Sequence, residues 1–324
     1  MFGQALDNQR GDFIMFSLKR VSRAIAVCCL VASSVGAQAA DKTLIGFSQA
    51  TMNHPWRIAM VNVNKEYAAQ HYPDVEVLVT DGQNSANKQV SDVEGLIARH
   101  VKVLMISPLQ AQALTPVVRE AMSDGIKVVT IDREVNTPVT VHIGAENRPI
   151  GVAAGRFLAQ ALHGTGNVIE IQGTAGASPT LDRHNGFADG IKGTQIKVVA
   201  TQYCDYLREP ALKFMEDQLQ RFGPGTIQAV YAHNDEMALA AVQALQAAGR
   251  LKEVKVIGID GQNTAFQAVK DGTMAATFIY PFAAPEAIEY AHKVALGETV
   301  PAKVVLPGQQ VDATNVDKYL GKGF

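Results

Sequence analysis

The chain has 324 residues, which suggests two domains, since a single core seldom serves more than about 250 to 300 residues. Hydrophobic residues make up 47% and charged residues 19%, a composition that excludes a disordered or collagen-like chain. The formal net charge of −2 argues against a broad nucleic-acid-binding surface, and three cysteines are too few for a disulfide framework.

The first 39 residues are predicted to be a secretory signal peptide. Basic residues at positions 19, 20 and 23 precede an apolar run over 24–35, and Ala37-Gln38-Ala39 places small residues at both ends of a cleavage site. The apolar run is too short to span a bilayer. The alternative interpretation of this segment is a buried N-terminal helix.

The start and the cleavage of this segment carry two further expectations. Met15 would begin a signal peptide of ordinary length, so residues 1–14 are expected to be an over-long start. The signal peptide would direct export of the protein. Cleavage after Ala39 would leave Cys204 as its one cysteine, so no internal disulfide is expected.

From Thr43 onward, short β-branched runs alternate with longer amphipathic stretches, which is typical of βαβ units and a parallel sheet. The strand runs are continuously apolar, as expected where helices cover both faces of a sheet. The predicted strands are Thr43–Phe47, Val75–Thr80, Val103–Ile106, Lys127–Ile131, Asn167–Ile171, Ile196–Thr201, Ala229–Tyr231, Val254–Ile259 and Ala275–Ile279. The predicted helices are Arg57–Ala69, Ala86–Arg99, Thr115–Ser123, Gly151–Leu162, Ala211–Phe222 and Glu236–Ala248.

The strand and helix series divides into two parts. The first four units end near Asp132, a segment rich in turn and extended residues follows over Glu134–Ala145, and a new series begins near Asn147. This pattern predicts two doubly wound α/β lobes. The stretch Pro281–Leu306 reads as one more helix followed by a strand at Ala302–Leu306, and it could extend either lobe.

Parallel α/β sheets bind ligands beyond the carboxyl ends of their strands. Arg and Asp side chains there can bond neighbouring hydroxyl groups in pairs, while an indole or a phenol can cover the C–H face of a sugar ring. The candidate residues that follow the strands therefore favour a small polyhydroxylated ligand. They are Asn53, Trp56, Arg57, Gln83, Ser107, Asp132, Arg133, Arg183, Asp205, Tyr206, Asn234, Asp235, Asp260 and Tyr280.

Each of these side chains also has a structural interpretation. Asp132 and Arg133 could form a helix-start cap or a local ion pair, and Asn234 could cap the next helix. Asp260 could shape a turn, and Arg183 could be a solvated helix residue. The aromatic side chains could belong to the core. The residues alone leave both interpretations open.

Motifs of known enzyme classes are absent from the sequence. There is no G-x-G-x-x-G after the first strand, no G-x-x-x-x-G-K-[ST] and no G-x-S-x-G. The nearest glycine loop, Gly173-Thr174-Ala175-Gly176, lacks the third glycine and the downstream acid of a dinucleotide site. The eight histidines lack zinc-ligand spacing. We therefore expect no catalytic residue, no metal and no cofactor.

Several motifs in order resemble the periplasmic sugar-binding proteins of ABC transporters, of the ribose-binding type, which share their fold with the ligand domains of LacI-type repressors. The resemblance covers about residues 42–310. The motifs are Ile45-Gly46-Phe47-Ser48-Gln49, Ile131-Asp132-Arg133, Asp182-Arg183-His184-Asn185-Gly186-Phe187, Tyr231-Ala232-His233-Asn234-Asp235-Glu236-Met237-Ala238 and Ile257-Gly258-Ile259-Asp260-Gly261.

Within this family the chain is most similar to the galactofuranose-binding branch. The similarity lies in Asp81-Gly82-Gln83, in residues 172–178 and in the pair Trp56-Arg57. Ribose binders usually carry paired phenylalanines where this chain has Pro55-Trp56, and glutamine where it has Tyr280. These departures argue against ribose as the ligand.

The resemblance implies a type I periplasmic binding protein, with two lobes joined by a three-stranded hinge. The first lobe would comprise residues 40–145 plus 281–306, and the second residues 146–280 plus 307–324. The chain would cross between them near Ala145, Tyr280 and Leu306.

The resemblance also implies roles for ten residues. Asp132, Arg133, Arg183, Asn234 and Asp260 would make polar contacts to the ligand. Trp56 and Tyr206 would stack on it, and Arg57 would form a hydrogen bond beside Trp56. Asn53 would contact the ligand at the rim and Tyr280 at the hinge.

The function implied is capture of a galactofuranose-like or related monosaccharide by hinge closure in the periplasm, and its delivery by a monomer to an ABC permease, without membrane insertion. The alternative is a periplasmic sensor subunit that presents bound sugar to a chemoreceptor or histidine kinase. A transcription regulator of this fold would need a DNA-binding segment where the signal peptide lies. An α/β enzyme would have to use Asp132 and Asp260 as acid and base.

Overall fold

The computed structural model describes residues 42–324, so the predicted signal peptide and over-long start lie outside the described residues. Residues 42–324 form two six-stranded sheets with helices packed on both faces. This arrangement confirms the predicted fold class of two parallel-sheet α/β lobes.

The first sheet is wholly parallel. Its strands are β1 (Thr43–Gln49), β2 (Val75–Asp81), β3 (Val103–Ser107), β4 (Lys127–Ile131), β5 (Val141–Gly144) and β11 (Lys303–Val305). They lie in the order β11-β5-β4-β3-β1-β2. Strands β3 and β5 are buried along their whole length, and for β3 this agrees with its apolar run Val103–Ile106.

The second sheet repeats this order with one difference. Its strands are β6 (Thr165–Gln172), β7 (Gln195–Tyr203), β8 (Ala229–Ala232), β9 (Lys255–Asp260), β10 (Ala276–Ile279) and β12 (Gln309–Asp312). They lie in the order β12-β10-β9-β8-β6-β7. Edge strand β12 runs antiparallel to β10, whereas the other neighbours are parallel. Equal order means that β4 and β9 occupy equivalent places in the two lobes, as do β1 and β6.

The helices lie between successive strands. They are α1 (Pro55–His71), α2 (Ala86–Ala98), α3 (Ala111–Ser123), α4 (Asn147–Ala161), α5 (Ser178–Gly190), α6 (Arg208–Arg221), α7 (Asp235–Ala247), α8 (Asn263–Lys270) and α9 (Glu286–Ala295). Their starts follow ordinary helix chemistry. Pro55 occupies the first turn of α1, and the side chain of Ser85 accepts a hydrogen bond from the Lys88 amide at the start of α2.

The chain passes between the two sheets three times: after β5, after β10 and after β11. Helix α9 follows β10 but packs against α1 and β3 of the first lobe. The last crossing is short, since β11 ends at Val305 and β12 begins at Gln309. These crossings bring the carboxyl ends of the two sheets face to face. None of the helices within residues 42–324 combines the length and the apolar character needed to cross a bilayer.

Helix α5 was not among the predicted helices, and its glycines explain why. Gly186 and Gly190 lower the helix signal of the segment. They are needed because α5 crosses α4 at very short range: a Cβ on Gly186 would lie 2.2 Å from the carbonyl oxygen of Arg148, and one on Gly190 2.5 Å from that of Val152. The short strands β5 and β12 and helix α8 were also missed, because four to eight residues carry little periodicity.

Candidate ligand-binding site

A small cavity lies between the carboxyl ends of the two sheets, with an empty volume of about 280 Å³. Both lobes contribute to its walls. The lining residues are His54, Trp56, Arg57, Asp132, Arg133, Pro179, Arg183, Tyr206, Asn234, Asp260 and Tyr280. Its position agrees with the rule that ligands of parallel α/β sheets bind beyond the carboxyl ends of the strands.

The first-lobe half of the cavity is built on a buried ion pair. Asp132 directly follows β4, and its Oδ2 accepts a hydrogen bond from Arg57 Nη2 at 3.0 Å and from Ser107 Oγ at 3.3 Å. The other terminal nitrogen of Arg57 donates to Gln49 Oε1 at 2.9 Å and to Ser107 Oγ at 2.8 Å. Arg57 and Asp132 are 2% and 5% exposed. Each partner therefore holds the other in place.

Arg133 and His54 complete this half. The Nη1 of Arg133 donates to the carbonyl oxygen of Leu109 at 3.1 Å. Burial, helped by the nearby Arg57, lowers the pKa of Arg133 to about 10. Burial, Arg57 and Arg133 also lower the pKa of His54 well below its usual value, so its ring is neutral. The His54 Nδ1 has no hydrogen-bond partner within residues 42–324.

Arg183 of α5 dominates the second-lobe half. Its Nε donates to Asn147 Oδ1 at 2.9 Å, and Nη1 donates to the carbonyl oxygen of His233. The guanidinium lies 4.4 Å from the ring centre of Tyr280 and 5.9 Å from that of Tyr206. These contacts fix a fully charged, 2% exposed guanidinium at the cavity wall.

Asp260, at the end of β9, contrasts with Asp132. It is 5% exposed and lines the cavity, yet its carboxyl accepts no hydrogen bond from a group within residues 42–324. Burial, with the neighbouring Asp235 adding to it, raises the pKa of Asp260 well above the usual range. A buried carboxyl without donors is costly, so this position calls for donors from a ligand.

Three Trp or Tyr rings line the cavity: Trp56 on the first lobe, Tyr206 on the second and Tyr280 at the hinge. Trp56 is held by a hydrogen bond from its Nε1 to the carbonyl oxygen of Tyr280 at 3.0 Å. Tyr206 bonds Thr180 through its hydroxyl at 2.8 Å. Its ring lies against the backbone of Gly173, where a Cβ would come within 1.9 Å of the Tyr206 Cζ. Only glycine at position 173 leaves room for the Tyr206 ring in this position.

Tyr280 links the two lobes at the hinge. Its hydroxyl donates to Asp132 Oδ1 at 2.7 Å and accepts from Asn147 Nδ2 at 3.0 Å. Asn147 in turn accepts from Arg183, so one chain of hydrogen bonds connects Asp132 of the first lobe to Arg183 of the second.

The lobes also touch on the side away from the hinge. The amide of Glu134 donates to Ser178 Oγ at 3.0 Å, and Gln110 Nε2 donates to the carbonyl oxygen of Ala175 at 3.3 Å. The amide of Ala111 donates to the carbonyl oxygen of Gly176 at 3.4 Å. Direct contacts between the lobes therefore lie both at the hinge and on the side of the cavity opposite the hinge.

Nine of the ten sequence-predicted site residues line this cavity. Asn53 does not: it is exposed, and the next residue, His54, lies in the wall instead. Pro179 and the supporting Asn147 were also missed. Asn234 fulfils both of its interpretations, because it caps α7 by accepting from the Met237 amide at 3.0 Å while lining the cavity.

The fold is a pair of α/β lobes with a cavity between them, an arrangement typical of two-lobed binding proteins. Residues 45–299 match the family model described as periplasmic binding protein domain, and the chain belongs to that family. The predicted family resemblance is thereby confirmed. Within residues 42–324 there is no group of three or more His, Cys, Asp or Glu side chains arranged to hold a metal ion.

Two curated relatives illustrate the similarity. The ribose import binding protein of Bacillus subtilis (strain 168) is 38% identical over 234 residues, 72% of this chain and 74% of the relative. The galactofuranose-binding protein of Escherichia coli (strain K12) is 32% identical over 292 residues, 86% of this chain and 91% of the relative. Sequence identity thus does not single out one sugar.

Two solved structures share the fold. A solute binding protein of an ABC transporter from Mycobacterium smegmatis, with bound glycerol, is 37% identical with a TM-score of 0.82, and the match covers 86% of this chain and 97% of that one. The fructose binding periplasmic domain of a hybrid two component system is 33% identical with a TM-score of 0.81, covering 86% and 93%. These relatives are binding proteins, and this chain is a binding protein rather than an enzyme.

Proposed function

We propose that this protein captures a monosaccharide between its two lobes in the periplasm and delivers it to the permease of an ABC transporter. The observation that carries the proposal is the Asp260 carboxyl, buried in the cavity wall without a donor. Sugar hydroxyl groups are donors of the required kind, and two adjacent ones match the two oxygens of one carboxylate.

The size and walls of the cavity support a single sugar. The cavity is small and is lined by eleven residues of both lobes, which suits one ring rather than a chain of rings. Trp56 and Tyr206 offer flat faces to C–H groups. Arg133 and Arg183 offer guanidinium donors to the hydroxyl oxygens.

Within this class we propose a galactofuranose-like sugar. The Trp56-Arg57 pair and Tyr280 distinguish the chain from ribose binders, as the sequence motifs indicate. In the structure the Tyr280 hydroxyl donates a hydrogen bond to Asp132 Oδ1, and Arg57 donates to Oδ2. Both oxygens of the Asp132 carboxylate therefore already accept hydrogen bonds from the protein.

Closure around the sugar would supply the mechanism. Asp132, Arg133 and Trp56 stand on one lobe and Arg183, Asn234 and Asp260 on the other, so only the closed form offers all contacts at once. A ligand that binds the closed form more tightly shifts the population towards it. Closure also removes water from the charged groups, which strengthens their hydrogen bonds.

A titration tests the proposal. The full chain is expressed with its own export segment, freed of copurified ligand by unfolding and refolding, and titrated with galactofuranose, galactopyranose, arabinose, ribose and myo-inositol while Trp56 emission is followed. We expect saturation with one sugar, and loss of that response in Asp132→Ala and Arg183→Ala. A folded protein that responds to no sugar by emission or calorimetry, and that copurifies with a non-sugar ligand by mass spectrometry, would refute it.

A sensor role is the second candidate. It is favoured by the similar periplasmic domain that belongs to a hybrid two component system. The two roles separate in cells that lack the protein. Loss of uptake of the labelled sugar supports delivery to a permease, whereas unchanged uptake with loss of sugar-induced transcription or chemotaxis supports a sensor.

A further inference from the structure

A buried carboxylate lies outside the cavity, behind its second-lobe half. Glu170 of β6 is fully buried, and its oxygens accept hydrogen bonds from His233 Nε2 at 2.9 Å and His184 Nδ1 at 2.9 Å. Burial opposes its ionisation, but these two histidines lower the pKa of Glu170 overall. Neither Glu170 nor His233 lines the cavity. Two buried ionisable groups are costly, so their retention requires an explanation.

His233 connects this carboxylate to two parts of the cavity wall. Its Nδ1 accepts the Gly173 amide hydrogen at 3.4 Å, and its carbonyl oxygen accepts the guanidinium of Arg183. Gly173 is the backbone against which the Tyr206 ring lies, and Arg183 faces the cavity directly. His233 therefore supports one polar and one aromatic wall at the same time.

These contacts require one protonation state of His233. A carboxylate only accepts, so Nε2 must carry the hydrogen that Glu170 receives, and Nδ1 must be free to accept from Gly173. Burial lowers the pKa of His233, which agrees with a neutral ring. Tyr231, two residues earlier, donates its hydroxyl to the carbonyl oxygen of Arg183 at 3.4 Å, so this strand end holds Arg183 at two points.

We propose that Glu170 and His233 are positioning residues. They hold Arg183, and the Gly173 backbone against which the Tyr206 ring packs, in the geometry that binds the sugar. The inference rests on the proposed sugar-binding function. Glu170 fixes the tautomer and orientation of the His233 ring. The ring fixes the Gly173 amide, and the His233 main chain fixes the guanidinium.

The test compares substitutions at His233. His233→Leu removes both ring hydrogen bonds, and we expect the Kd for the sugar that binds the unaltered protein to rise about tenfold. His233→Gln retains a donor for Glu170 and should recover most of that loss. Gln228→Ala is the matched control, because Gln228 bonds the amide of Asn167 across the same two strands at the opposite end of the sheet. It should lower stability without changing Kd.

Two further measurements keep the inference open to failure. In the unaltered protein, two-bond ¹⁵N–¹H NMR should show His233 neutral with its hydrogen on Nε2 at about pH 6, even though an ordinary histidine is largely protonated there. If His233→Leu does not fold, Glu170→Gln should still fold, and its Kd should rise about threefold because the charged acceptor is lost.

The outcomes separate this inference from the proposed function. A folded His233→Leu protein with unchanged Kd, or a His233 hydrogen on Nδ1, overturns the positioning role while sugar binding stands. Should the unaltered protein bind no sugar, the proposed function fails. The NMR signals of Arg183 Nε–H and the Gly173 amide then still test the positioning role. They should move in His233→Leu, move less in His233→Gln and stay in place in Gln228→Ala.

Discussion

The two lobes carry the same pair of residues in equivalent places, but only one lobe joins the pair. In the first lobe Arg57 follows β1, Asp132 follows β4, and the two bond at 3.0 Å. In the second lobe Arg183 follows β6 and Asp260 ends β9, yet Arg183 donates to Asn147 and His233 instead.

The difference assigns distinct tasks to the two halves of the site. The first half is a preassembled platform whose carboxylate is already satisfied, so its loss would damage the fold as well as binding. The second half leaves Asp260 without donors, so a ligand gains most by completing it. Both aspartates adopt positive φ, 64° and 141°, a conformation that L side chains rarely take and that often accompanies functional positions.

The largest effect on stability is expected from Asp132→Ala. It leaves Arg57 buried without its charged partner, so the free energy of unfolding should fall by about 3–5 kcal/mol in urea denaturation. Asp189→Ala is the matched control. It breaks an Arg148–Asp189 pair of 2.6 Å that is about half exposed, and it should cost less than about 1 kcal/mol. If both substitutions lowered the free energy of unfolding equally, the Arg57–Asp132 pair would not be a stabilising platform.

The next effect is a pH dependence in the second lobe. Asp235 is fully buried, accepts from the Gly261 and Gln262 amides and from Thr277, and burial raises its pKa to about 6. Because the folded pKa exceeds the unfolded value of about 3.9, this carboxyl stabilises the fold below about pH 4, and the stabilisation is lost as pH rises through about 6.

Asp235→Asn should remove that dependence. Its amide can still serve the same three groups, so the unfolding free energy of the unaltered protein should fall relative to the variant by about 3 kcal/mol between pH 4 and pH 7. Urea denaturation at both pH values measures it. Parallel pH profiles for the two proteins would show that Asp235 does not titrate in this range.

A smaller effect on stability is expected from Gly173→Ala in the second-lobe half of the site. Gly173→Ala forces the Tyr206 ring to move, since the added Cβ would lie 1.9 Å from its Cζ. Overpacking should cost about 1–3 kcal/mol of stability and raise the sugar Kd about tenfold. Gly223→Ala, with no atom within 4 Å of its added Cβ, should change neither. Unchanged sugar binding in Gly173→Ala would mean that Tyr206 is not a contact.

Much of this arrangement could be predicted from sequence because each lobe repeats the strand–helix pattern, and polar residues after strands must share one edge. Asn53 differs from the other nine predicted residues in lying outside the cavity wall. Asn53 and His54 stand side by side in a loop, where no periodicity fixes which side chain turns inward. In the structure His54 is buried in an extended conformation directly before α1, whereas Asn53 is exposed.

The supporting residues were harder to predict. Glu170 was hidden in an apolar strand, and the one available signal was a carboxylate within Val168-Ile169-Glu170-Ile171. Asp235 looked like the acidic neighbour of a helix cap, whereas it holds the turn after β9. Such roles depend on contacts between residues 26 to 63 positions apart, and these contacts follow from tertiary packing alone.

The most direct test of the contrast between the halves is a pair of titrations on Asp260→Asn, one with the sugar identified for the unaltered protein and one with urea. We expect the Kd to rise about 100-fold, because a carboxyl oxygen that accepts from the sugar hydroxyl groups is lost. We also expect that the free energy of unfolding without sugar falls by no more than about 1 kcal/mol, because no internal hydrogen bond to the Asp260 carboxyl is lost. Retained sugar affinity, or a loss of stability as large as that of Asp132→Ala, would contradict the proposed contrast between the two halves of the site.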